Sequence, residues 1–124
     1  TAATPEAVTA LLGLVQEPGR REEVIAALAG MGDEQLAWIA GAFAPSRLET
    51  RLAIVEALLR MKRPSATELI VKALDDGEAK VRLAAVQGLA RLGSRRAERR
   101  LALMASADPD AEVRRAARHA LGNM

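Results

Sequence analysis

The sequence predicts an all-α fold, an α-α superhelix (solenoid) of about four two-helix repeats and about eight helices. Composition points there first: half of the 124 residues are hydrophobic, yet Trp38 and Phe43 are the only aromatics and 27 residues are alanine. A core poor in large rings has to be made by close helix packing on Ala and Leu. Periodicity points there next, because Val81, Ala85, Leu89 and Leu92 hold one helical stripe while Leu83, Val86 and Ala90 hold another. A helix apolar on two sides is sandwiched between others. Repetition is the third observation: Asp76, Val81-Arg82, Ala84-Ala85 and Leu89 return as Asp108, Val113-Arg114, Ala116-Ala117 and Leu121. Weaker copies begin at Arg51 and Arg21, so the matched arginines Arg21, Arg51, Arg82 and Arg114 stand 30, 31 and 32 residues apart. A period of that size marks stacked units that share one core.

Taken in order, Thr4 and Pro5 form a helix start leading into Ala7 to Gln16, and Pro18-Gly19 ends it. A second helix runs from about Arg20 to Gly30. Asp33 is placed to cap the third, Glu34 to Ala44, which Pro45-Ser46 breaks. The fourth, Arg47 to Met61, carries Leu48, Leu52, Val55 and Leu59 on one stripe. Pro64-Ser65 opens the fifth, Ala66 to Leu74, and the turn Asp76-Gly77 precedes the sixth, Glu78 to Leu92. Gly93-Ser94 leads to the seventh, Arg95 to Ala105, and Asp108-Pro109 introduces the eighth, which reaches about Leu121. Residues 1–124 read as a single domain, with weak repeats over 1–62 and clear ones over 63–124. A start at Thr1 rather than Met is compatible with a segment trimmed or excised from a longer array.

The repeated residues resemble a known family. The Asp76 to Arg82 and Asp108 to Arg114 spacing, with the Val-Arg and Ala-Ala pairs, looks like the HEAT-like repeat, and the short period resembles its bacterial, phycobilisome-lyase-type subclass. Val15 and Pro45 stand where the family places its aspartate. The resemblance implies a structural role for the pairs Asp76/Arg82 and Asp108/Arg114. Physics agrees: a carboxylate ahead of a helix start accepts free N–H groups, and an arginine one turn into the helix can fork onto it or onto the neighbouring repeat's aspartate.

Little in the sequence supports intrinsic chemistry, and a protein without enzyme activity is expected. A metal-dependent hydroxylase similar to deoxyhypusine hydroxylase needs several His-Glu motifs, whereas His119 is the single histidine. Cysteine is absent, so disulfides, Cys-based zinc sites and thiol nucleophiles are excluded. Asp75, Asp76 and Glu78 make an acidic turn without the EF-hand pattern, no phosphate-cradling glycine loop occurs, and the serines lack a histidine-centred relay. No cofactor, metal or membrane association is expected. The longest run without charge, Gln35 to Ser46, falls well short of the ~20 residues of a membrane span. A soluble, cytoplasmic protein is the expectation.

Charge is uneven. The net formal charge is +2, but residues 1–62 hold six basic and eight acidic side chains, against twelve and eight in 63–124. Arg91, Arg95, Arg96, Arg99 and Arg100 cluster, with Arg114, Arg115 and Arg118 one repeat later. At 100° per residue, Arg95 and Arg99 lie opposite Ala97, Leu101 and Met104 and should face solvent. The preferred reading is a solvated arginine-rich surface. The alternative is an anion patch for nucleic acid, which a resemblance to HEAT-like alkylpurine DNA glycosylases makes physically feasible; the small net charge and the lack of interleaved aromatics weigh against it.

Trp38 points about 160–180° away from the face formed by Leu36, Ile39, Ala40 and Phe43. Aligning Leu36, Leu69 and Leu101 puts Trp38, Val71 and Leu103 at equivalent places, an apolar ridge across three repeats with a tryptophan anchor. Packing between repeats is the preferred explanation of such a ridge, since helices of this kind bury two faces. The functional expectation is a protein-interaction scaffold or regulatory segment presenting a concave helical surface, its partner another protein bound through Trp38, Val71, Leu103, Arg95 and Arg99. Rival expectations are DNA binding through the arginines and a lyase-like subunit handling a tetrapyrrole chromophore.

Overall fold

A computed structural model of the chain describes residues 4–123, so Thr1 to Ala3 and Met124 of the expected domain lie outside the described residues. Eight α-helices and no strand are found among them: α1 Pro5–Gly13, α2 Arg21–Ala29, α3 Asp33–Phe43, α4 Leu48–Met61, α5 Pro64–Ala73, α6 Ala79–Leu92, α7 Glu98–Ala107 and α8 Ala111–Gly122. Single 3₁₀ turns extend α1 over Leu14–Gln16 and precede α7 over Arg95–Ala97.

Local chemistry sets most of these limits. The Thr4 hydroxyl accepts from the Ala7 N–H at 3.1 Å and Pro5 fills the first helical position, where its missing N–H costs nothing. Pro64 opens α5 in the same way. Asp110 caps α8, its carboxylate accepting from the Glu112 and Val113 N–H groups at 2.9 and 3.0 Å. Gly93 ends α6 in the left-handed region at φ +65°, which lets Ser94 N–H reach back to the Leu89 carbonyl at 3.2 Å. At α3 the cap is Gly32 rather than the expected Asp33. The Gln35 side chain reaches back to the Gly32 N–H at 2.9 Å, which frees Asp33 to accept from Ser65 Oγ at 2.9 Å and to pair with Arg63 at 3.1 Å in the next unit.

The helices form two layers. In the even layer α2, α4, α6 and α8 pack closely on one another in sequence; α4, α6 and α8 also pack against odd-layer helices, α8 most extensively on α7, and α2 against the 3₁₀ turn that extends α1. Odd-layer helices touch each other much less, and α3 and α5 leave a recess between them. A slab whose one layer is tight and whose other layer is spread curves toward the tight layer, so the even helices line the concave side. A single apolar cluster runs the length of the slab from Val8 to Ala120, with Ile25, Leu28, Ile54, Leu58, Ile70, Leu89 and Leu101 fully enclosed. Each such side chain contributes roughly 1.5–3 kcal/mol on leaving water. At the α4–α6 contact Gly88 sits against Leu59, and a methyl group placed on Gly88 would lie 2.5 Å from Leu59 Cδ2.

Candidate interaction surface

Even helices are joined by arginines that reach forward. Arg51 Nη1 donates to both carboxylate oxygens of Asp76, at 2.8 and 2.6 Å, and Arg82 grips Asp108 with Nε and Nη2 at 3.0 and 3.1 Å. Toward its own unit Arg82 donates from Nη1 to main-chain oxygens, Asp76 O at 2.9 Å and Gly77 O at 3.1 Å, and Arg114 does the same to Asp108 O at 2.6 Å. The carboxylate partners of Arg51 and Arg82 therefore belong to the following unit, while the own-unit contacts of Arg82 and Arg114 are to backbone. The Arg82 and Asp108 side chains are only 12% and 4% exposed. Burial pushes the Asp108 carboxyl up, but the Arg82 hydrogen bonds, the Asp110 N–H and the charges of Arg82 and Arg114 outweigh it and hold the group below its ordinary value. Arg82 is raised in turn, chiefly by its hydrogen bonds to Asp108. Between the first two units, where Pro45 stands at the aspartate position, Gln16 Nε2 donates to Thr50 Oγ1 at 3.1 Å.

The odd layer differs from the expected ridge. Trp38 and Val71 are half-buried and packed against the core, whereas Leu103 is 60% exposed. Burial also sets the register: Ile39, Ile70 and Leu101 are the enclosed residues of α3, α5 and α7, spaced by 31. Trp38 then corresponds to Leu69 and Arg100, Val71 to Ala102, and Leu103 to Lys72, so Trp38, Val71 and Leu103 do not form one row. Leucine spacing misleads the alignment: Leu36 lies two residues off the counterpart of Leu69, and α7 carries one residue more than α5 ahead of its turn, Leu101 preceding Asp108 by seven residues where Ile70 precedes Asp76 by six. The three residues also lie on the convex layer, not the concave one.

What the splay of α3 and α5 opens instead is a cleft of about 320 Å³. Ile39, Ala40 and Phe43 of α3 form one wall, Leu69 and Ala73 of α5 the other, and Ile54 and Leu58 of α4 lie beneath. Lys72, Asp75 and Asp76 supply charge at its α5 end. Sequence periodicity marks these residues as core. It carries no signal that the helices above them diverge.

The arginine cluster is partly neutralised. Arg96 pairs with Glu68 and Arg100 with Asp75 across the α5–α7 boundary, and Arg95 lies 3.8 Å from Glu98. Arg95 and Arg99 are both exposed. Among the described residues Arg99, Arg114, Arg115 and Arg118 have no carboxylate within ion-pair distance. His119 is exposed and shares a 3.2 Å hydrogen bond with Asn123.

A family model described as HEAT repeats matches residues 36–122, from within α3 to the end of α8 and well over half of the chain. The chain belongs to the HEAT-repeat family. In HEAT terms the matched span holds the three units built from α3 to α8, including both buried arginine–aspartate pairs. The α1–α2 unit, which lacks the aspartate, lies outside the match. No curated protein matches the chain significantly. Among the described residues no helix of this HEAT array is long and apolar enough to cross a membrane.

Proposed function

We propose that this HEAT-repeat chain is a non-catalytic protein-interaction module of the short-period, phycobilisome-lyase-type subclass, and that its partner docks an apolar anchor in the α3–α5 cleft. The single observation that supports this is the cleft: an apolar recess with charged groups confined to one end, of the size that takes large side chains from an amphipathic helix. Its floor is the enclosed α4 face, so the recess is pre-formed and little ordering cost falls on binding. The nucleic-acid reading is the lesser one, because Arg96 and Arg100 already hold acidic partners. Ala40→Trp tests the proposal, since it fills the cleft from its wall without deleting a core contact. Partners captured from the source cell by the wild-type chain are expected to be lost on the variant at unchanged helicity; equal capture by both would overturn the reading.

A further inference from the structure

Helix α8 repeats α4 and α6 on one flank and departs from them on the other. The positions that place Leu52, Val55 and Leu59 on α4 and Leu83, Val86 and Ala90 on α6 hold Arg115, Arg118 and Gly122 on α8. Val55 and Val86 are enclosed, while Arg115 and Arg118 are exposed. Covering two guanidinium groups with an apolar helix would strip their hydration without compensation. The group that suits this flank carries negative charge.

Arg114 indicates which kind. Arg82 is anchored by Nη1 on the Asp76 carbonyl and turns its Nε and Nη2 edge onto the Asp108 carboxylate. Arg114 is anchored in the same way on the Asp108 carbonyl, but its Nε and Nη2 edge meets no carboxylate among the described residues. It is a copy of a working carboxylate clamp, half-buried and held in place, with the clamp open. We propose that this edge binds an aspartate or glutamate of an acidic protein partner, with Arg115 and Arg118 engaging further acidic residues beside it. A second copy of the chain stacked end to end does not supply the group, because Val15 occupies the corresponding place in its first unit. Nucleic acid is the weaker occupant: three arginines with no aromatic beside them neutralise few phosphates and offer no stacking platform.

The test uses a fluorescein-labelled peptide of residues 106–113, the turn that carries Asp108, Asp110 and Glu112, read by anisotropy together with the Arg114 Nε–H signal in NMR. The control peptide carries Asn or Gln at those three positions. The acidic peptide is expected to shift the Arg114 signal saturably, and to bind at least about tenfold more tightly than the control, the scale of one charge-assisted bidentate contact. Arg114→Lys, which keeps the charge but not the fork, should lose that preference. Should Arg114→Lys disturb the helix, Arg115→Gln/Arg118→Gln leaves the clamp intact and should weaken binding several-fold. Ala40→Trp should bind the peptide like wild type, which separates this face from the cleft. Equal binding of acidic and neutral peptides, or tighter binding of a 12-base-pair DNA duplex at the same salt, would overturn the proposal.

Discussion

Gly88 and Leu59 form a size-matched pair whose energetics can be measured directly. A Cβ on residue 88 would stand 2.5, 2.7 and 3.0 Å from Leu59 Cδ2, Cδ1 and Cγ, so the whole head of the leucine has to move, not one methyl group. Leu59 is almost enclosed and has little room to do so. Equivalent positions along the other even-layer contacts hold Ala29 with Ala57 and Ala90 with Ala120, two small residues instead of one large and none. Gly88→Ala alone therefore sets overpacking of about 1–3 kcal/mol against a helix-propensity gain of about 0.5–1 kcal/mol. A net loss of about 1 kcal/mol is expected. Leu59→Ala alone opens a cavity and should cost about 2–4 kcal/mol. In that background Gly88→Ala meets no obstacle and refills part of the space, so its sign should reverse. The expected coupling in a double-mutant cycle by urea denaturation is about 1.5–2 kcal/mol. Additivity within about 0.5 kcal/mol, or Gly88→Ala stabilising by the same amount in both backgrounds, would refute the reasoning.

Other outcomes follow from the same geometry. Because the Asp108 carboxyl is held below its ordinary 3.8, its contribution is present above that pH and is lost as pH falls through the lower folded-state value. Acid titration of stability should thus be steeper below pH 4 for wild type than for Asp108→Asn. At pH 7 that variant should be less stable by about 1–3 kcal/mol, since a buried charge-assisted bond is weakened while the Asp110 N–H keeps its acceptor. Leu103→Ser should leave the melting temperature within a degree or so, because the side chain is mostly solvated already. Arg115→Leu/Arg118→Val, which gives α8 the flank of α6, should make the chain self-associate in analytical ultracentrifugation; a strictly monomeric variant at high concentration would show that these arginines do not keep the flank soluble.

Most of the fold was legible because helix punctuation is local. Pro5 and Pro64 open helices and Gly93 closes one through dihedral preferences that need no tertiary contact. Gly32 took the cap from Asp33 because the competing bond comes from Gln35, and a neighbouring unit claims the aspartate. The repeat was legible through Arg51, Arg82 and Arg114, yet spacing alone left open whether each arginine bonds its own aspartate or the next one. That choice depends on the offset between stacked helices. The ridge through Trp38, Val71 and Leu103 failed for a related reason: leucines set its alignment, whereas burial places the register two residues differently between α3 and α5 and one residue differently between α5 and α7. The cleft and the pairs Arg96–Glu68 and Arg100–Asp75 were not legible, since they arise from the splay and stacking of separate odd-layer helices.

The second and third units here are each locked to the next by an arginine that reaches forward to a buried aspartate. The double-mutant cycle of Arg82→Ala and Asp108→Ala is the most direct test of that lock. Each single variant should cost about 3–5 kcal/mol by leaving its partner buried and unpaired, and the pair should cost far less than their sum, with a coupling above about 1.5 kcal/mol that survives 1 M salt. Independent effects that add, or a coupling abolished by salt, would contradict it.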